Sequence, residues 1–258
     1  MHTHPSVPNS EEKLESLLET LTNQSSITGL TVIKWDIPYG IFSFEDTIKL
    51  PESNKRVRVD RQLEYFAKIT WMPKKEEPRT GYVIRTQEIA VAGGHHILAA
   101  GIKGNYIPNN ERAEETIGKI RKQEGVAIIN HPYLMPKASY PFSYRDANTN
   151  EIARVEEICK AADEIESFNG EAINAVPSFA WFTKLNAMAK KLAKECNYKG
   201  TSASDAHTYS EIGQCGIVIP SSAIDGEKIK TLVSGHDFTT VESYSSRAQV
   251  FSGRFLLR

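Results

Sequence analysis

The sequence predicts an α/β barrel, a parallel sheet closed by the helices between its strands, and three observations carry that expectation. Short apolar runs alternate with amphipathic helical segments along most of the chain. The 258 residues match the roughly 250 typical of one such domain. Histidines and carboxylates stand just after the apolar runs, where a barrel gathers distant strand ends at one mouth.

Taken in order, residues 11–23 place Leu14, Leu17, Leu18 and Leu21 on one helical face, with Asn9 or Ser10 as N-cap and Glu11-Glu12 at the positive end of the dipole. Leu30-Thr31-Val32-Ile33 is short, apolar and rich in β-branched residues, the pattern of a buried strand. Residues 41–80 are charged and carry Pro51, Pro73 and Pro78 among short β-like pieces such as Arg56-Val57-Arg58-Val59, so they are expected to form a hairpin insertion in a single domain spanning 1–258. Tyr82-Val83-Ile84 leads to Glu88, and Ile97 to Ala100 follows His96. Residues 111–124 read as a helix stopped by Gly125, and Val126 to Ile129 then delivers His131. Helices over roughly 150–162 and 178–195 flank the strand Glu164 to Phe168, and Gly200 ends the second before Asp205 and His207.

Composition narrows the function. Lys plus Arg number 31 against 32 Asp plus Glu, and this near balance offers no extended surface for nucleic acid or an anionic membrane. Cys159, Cys196 and Cys215 are odd in number, far apart and form no CxxC pair, so no disulfide framework is expected and a reducing compartment suits them. Met1 to Pro5 has no basic and apolar leader, and no run approaches the apolar length of a membrane span, which predicts a soluble cytoplasmic protein.

The chemistry sits with the histidines, of which only His236 stands apart from other candidate ligands. His2 and His4, two apart on extended backbone, project the same way and can grip one ion. Glu88 offers two oxygens with which to bridge adjacent cations. His95 and His96 face opposite sides of an extended segment; His96, leading into Ile97, is taken as inward and His95 as outward or supporting. His131 follows an apolar strand and precedes Pro132, which disfavours a helix through it. Glu166 alternates with Ile165, and a carboxylate facing the interior needs a cation or a donor. Asp205-Ala206-His207 sets two further ligands two apart, after the small residues 200–204.

This set resembles the polymerase and histidinol phosphatase (PHP) superfamily of metal-dependent phosphoesterases. His2 and His4 match its D-x-H-x-H motif without the leading Asp, Glu88 and His96 its second motif, His131-Pro132 and then Glu166 its third, and Asp205 with His207 its closing S-D-x-H. The resemblance implies a distorted (β/α)7 TIM-like barrel holding two or three divalent ions (Zn, Mn or Fe) and hydrolysing phosphate esters. The family's first strand would precede His2, whereas the sequence opens at Met1, so that strand is expected to be lacking or replaced. Asn9, Ser10 and Lys34-Trp35 stand where ligands of the third ion are expected, which favours a two-ion site.

One ion is expected on His2, His4, Glu88 and Asp205, and the other on Glu88, His96 and His131, with Glu166 completing either shell. Asp205 and His207 are the expected catalytic residues, His207 binding a third ion or protonating the leaving group. The loop from Tyr133 to Asp146, with Lys137, Tyr140, Phe142 and Tyr144, suits a small, nucleotide-like phosphorylated substrate; Tyr133, Arg145 and Lys103 are its candidate contacts. Two other readings remain: an amidohydrolase-type metal hydrolase, and a non-catalytic metal- or ligand-binding barrel in which Trp35 fills the third ion's place.

Overall fold

A computed structural model describes residues 3–22, 27–33, 41–136, 144–170, 179–220 and 224–244. The architecture is mixed α/β around one eight-stranded sheet. Helix α1 (Glu11–Leu21) starts where the Ser10 hydroxyl accepts from Lys13 N, and it buries Leu17, Leu18 and Leu21. Strand β1 (Ile27–Ile33) follows. Helix α2 (Phe44–Ser53) was not expected, because Pro51 argues against it; a Ser43/Asp46 capping box starts the helix and Pro51 falls in its last turn. Strands β2 (Val57–Leu63) and β3 (Phe66–Trp71) form the hairpin, and β3 runs on as a neighbour of β4 (Arg79–Ala90).

Beyond β4 come β5 (His96–Ala100), α3 (Ala113–Lys122), β6 (Val126–Asn130), the short pair β7 (Leu134–Pro136) and β8 (Tyr144–Asp146), and α4 (Thr149–Cys159). The chain continues through β9 (Glu164–Asn169), α5 (Phe179–Glu195), β10 (Thr201–Ala203), β11 (Gly216–Val218), α6 (Gly226–Ser234) and β12 (Thr239–Val241).

The sheet order is β10-β9-β6-β5-β4-β3-β2, with β1 also on β4. The ladders of the described strands do not by themselves close into a barrel, and among them only β1–β4, β6–β9 and β9–β10 are parallel. The β4–β5 and β5–β6 pairs are antiparallel. The cause lies in the five residues 91–95, too few for the crossover helix that a parallel return needs. Gly93 and Gly94 turn there at φ 97° and 86°, values that favour glycine. At the N-terminus, Thr3 makes isolated parallel bridges to Leu30 of β1 and to Ala206 beyond β10, so a very short segment stands where a first strand was sought.

One sheet face carries Ile89, Ile97, Ala99, Ala127, Ile129 and Ile165 against α3, α4 and α5. The opposite face carries Ile84, Leu98, Ala100, Val126 and Ile128 beneath Tyr65, Phe66 and the α6 residues Ile229 and Val233. A third cluster joins α1 to α2, β1 and the β2–β3 hairpin. Where α1 ends, Gly81 of β4 passes so close that a Cβ would lie 1.8 Å from the Leu21 carbonyl oxygen.

The cysteines depart from expectation. Cys159 at the end of α4 and Cys196 just past α5 are joined as a disulfide, because both helix ends converge on the same buried cluster. Cys215 is free and buried. Among the described residues no helix is long and apolar enough to cross a membrane.

Gly81→Ala is predicted to destabilise the protein by about 1–3 kcal/mol or more, because backbone rather than a flexible side chain must yield. Urea unfolding checks this; wild-type stability would mean that α1 does not press on β4 this closely.

Candidate metal centre

Strand register builds the centre. Glu88 lies opposite Leu98, and His96 opposite Asn130 and Ala90. Residues opposite one another share a face, and so do residues two apart, so Glu88, His96 and Asn130 crown the same face that carries Leu98 and Ile128 below. His131 follows Asn130 directly. Asp205 follows β10, and His4 reaches the same place because its backbone N–H donates to Ala206 O at 2.7 Å.

Glu88 is the hub. Its Oε1 lies 2.9 Å from His96 Nδ1, 3.0 Å from His131 Nε2, and accepts from Asn130 Nδ2 at 3.2 Å. Its Oε2 lies 3.4 Å from His4 Nε2, which is in turn 3.5 Å from Asp205 Oδ1. The His4 Nδ1–H donates to the Thr31 carbonyl at 2.9 Å, which selects the tautomer with Nε2 as ligand atom. His207 makes the same kind of bond, Nδ1 to the Asp205 carbonyl at 2.9 Å, and its ring centroid lies 5.3 Å from that of His4. Glu166 joins through Asn169, whose Nδ2 donates to Glu166 Oε1 at 2.7 Å and to Asp205 Oδ2 at 3.1 Å.

Two of these residues hold left-handed backbone, His131 at φ 24° and Asp205 at φ 49°. Aspartate tolerates that region better than histidine does. A non-glycine residue kept there costs on the order of 1–3 kcal/mol, and such strain persists where the surroundings over-determine it.

The donor set fits divalent cations. Ligand atoms of Glu88, His96 and His131 lie within 4.8 Å of one another, and all three residues are buried. Glu88, Glu166 and Asp205 together bring three carboxylates out of water, and buried carboxylates call for compensating charge. His131 registers the surplus: burial alone would lower its pKa, but the hydrogen-bonded Glu88, with Asp205 and Glu166 beyond, outweighs burial and pushes it up to about 9. Mixed imidazole and carboxylate ligands suit zinc, manganese and iron alike.

Seven of the predicted residues can thus be placed together: His4, Glu88, His96, His131, Glu166, Asp205 and His207. His2 lies outside the described residues, as do Lys34, Trp35, Lys137, Tyr140 and Phe142. Arg145 falls on β8 opposite Met135, with its side chain outside the described set. Two substrate candidates are corrected. Lys103 follows β5, and because β5 runs antiparallel to β4 its far end points away from the centre; there the Lys103 ammonium pairs with Glu124 at 2.6 Å. Tyr133 packs in the core beside α3, α4 and α5, where burial pushes its phenol up to about 12.

His95 meets the backbone of Glu151 in the first turn of α4. It is buried, and burial lowers its pKa. His236, the histidine that stood apart, pairs with the buried Glu164 at 2.8 Å at the start of β9, the end opposite the centre. Asn130 and Asn169 were missed as contributors. Their only signal was an asparagine closing a strand.

Fold and centre together define a mixed α/β protein with a buried set of histidines and carboxylates placed as metal ligands are. Residues 183–234 match the sequence family described as PHP-associated. No curated protein matches the chain in sequence. Among solved structures it is similar to PsfC from Pseudomonas syringae PB-5123, with TM-score 0.55 and 13% identity over 99% of this chain and 96% of that one. It also aligns with the lesion-specific endonuclease PfuEndoQ from Pyrococcus furiosus, with TM-score 0.47 and 13% identity, covering 93% of this chain and 56% of the endonuclease.

Because the folded pKa of His131 is raised, its charged form stabilises the metal-free protein fully below the unfolded value of about 6.5, and this is lost as pH rises through about 9. A cation must displace that proton, so metal binding at pH 7 is predicted to release on the order of one proton per chain. Calorimetry in buffers of different ionisation enthalpy measures the release, and none would remove His131 from the ligand set.

Proposed function

We propose that this protein is a metal-dependent phosphoesterase that hydrolyses a small phosphate monoester or diester with an activated water. The observation that carries the reading is the double engagement of Glu88, with Oε1 beside His96 and His131 and Oε2 beside His4, next to Asp205. A carboxylate used at both oxygens is the arrangement a bridging ligand needs. Divalent ions bound here supply Lewis-acid activation of water and neutralisation of phosphoryl charge.

The chain's own residues divide the remaining work. His96 and His131 with one oxygen of Glu88 form one ligand group; His4 and Asp205 with the other oxygen form the second, with Glu166 beside it and His2 expected to join. His207, only partly buried and oriented by the Asp205 carbonyl, holds a further ion or passes a proton to the leaving alkoxide. A ring of strand ends joined through Thr3 would make this a distorted relative of the seven-stranded barrel, and the two bridges of Thr3 support that reading. The preferred substrate is a small phosphorylated molecule of nucleotide-like size, since the near-neutral charge offers no track for a long nucleic acid.

A panel of p-nitrophenyl phosphate esters assayed beside amide and lactone substrates tests the activity. Turnover is predicted on the phosphate esters alone, dependent on added Mn or Zn and abolished by chelator. Glu88→Ala should lower kcat/KM by more than the roughly 10- to 100-fold typical of residues that only support ligands. Amide or lactone turnover would replace this reading with an amidohydrolase-type one.

A further inference from the structure

Asn169 closes β9, and it touches two carboxylates at once. Its Nδ2 donates to Glu166 Oε1 at 2.7 Å and to Asp205 Oδ2 at 3.1 Å. A carboxamide nitrogen carries two hydrogens, so both bonds form together. All three side chains are buried. The asparagine is itself clamped: its backbone N–H donates to Asn186 Oδ1, and Asn186 Nδ2 donates back to the Asn169 carbonyl, each at 3.2 Å. Asn186 lies on α5, inside the segment that matches the PHP-associated family, and its Nδ2 also lies 3.2 Å from the Tyr244 hydroxyl.

We propose that Asn169 is a positioning residue for one of the two ions. The inference rests on the two-ion reading above. By engaging Asp205 Oδ2, Asn169 leaves Oδ1 as the oxygen on the side of His4 Nε2, 3.5 Å away. By engaging Glu166 as well, it fixes the separation of two like charges that would otherwise repel. A neutral double donor suits this task better than a lysine or an arginine. Either cation would cancel the negative charge that the carboxylates must present to a metal, whereas the carboxamide orients them and leaves that charge in place. The Asn186 clamp carries the constraint from β9 into α5, so α5 acts on the centre through hydrogen bonds.

The test uses cobalt as the probe. Metal-free wild type, Asn169→Leu, Asn169→Ser and Asn186→Ala are titrated with Co2+ and followed by calorimetry and by visible d–d absorption, with near-UV circular dichroism as a check on folding. Wild type is expected to bind two equivalents. Asn169→Leu should weaken the equivalent at His4 and Asp205 by about 10- to 100-fold and alter its d–d bands, while the equivalent at Glu88, His96 and His131 binds as before. Asn169→Ser, which keeps one hydroxyl donor, should recover part of the loss, and Asn186→Ala should act on the same equivalent more weakly. If Asn169→Leu does not fold, the serine variant gives the same reading. Two unchanged equivalents in the Asn169 variants, or equal weakening of both, would overturn the proposal. A wild-type protein that binds no cobalt fails the two-ion reading itself, and that result is seen before any variant is compared.

Discussion

Among the described residues, three carboxylates and four imidazoles gather at the strand ends, and the burial of Glu88, Glu166 and Asp205 is the constraint on which the site depends. Hydrogen bonds distribute that charge but do not remove it. Glu88 alone is met by three nitrogen donors at one oxygen and a fourth nitrogen at the other. The raised pKa of His131 follows from the same excess, since a proton there is the smallest cation the pocket can take up.

Strand direction decides which residues reach that pocket. The antiparallel run β4-β5-β6 brings the end of β4, the start of β5 and the end of β6 to one level, so Glu88, His96 and His131 meet although the sheet is mixed. The same geometry sends the end of β5 to the far side, where Lys103 and Glu124 pair. Thr3 completes the assembly from the other flank, bridging β1 and Ala206 and delivering His4.

Much of the site was legible because its signals are local. Glu88 before His96, His131 before Pro132, and Asp205 two before His207 each need only strand alternation and a following turn. Helix α1 is equally clear from its apolar face and N-cap, and α3 from the stop at Gly125. What failed depended on pairing partners that a single strand cannot reveal. Lys103 reaches the site only if β5 runs parallel to β4, and Ala92-Gly93-Gly94 between two apolar runs is a hairpin signal that argues otherwise. Tyr133 was read as a loop aromatic and is core. The Cys159–Cys196 pair had no sequence signal, since only the convergence of two helix ends brings the thiols together. Asn169 was invisible for a similar reason, its importance lying wholly in residues 3 and 36 positions away.

Anomalous diffraction from crystals grown with manganese or zinc tests the central claim most directly. The account predicts two strong peaks sharing Glu88 as a ligand, one also bound by His96 and His131 and the other by His4 and Asp205. A map without a peak in coordination range of Glu88 would contradict it.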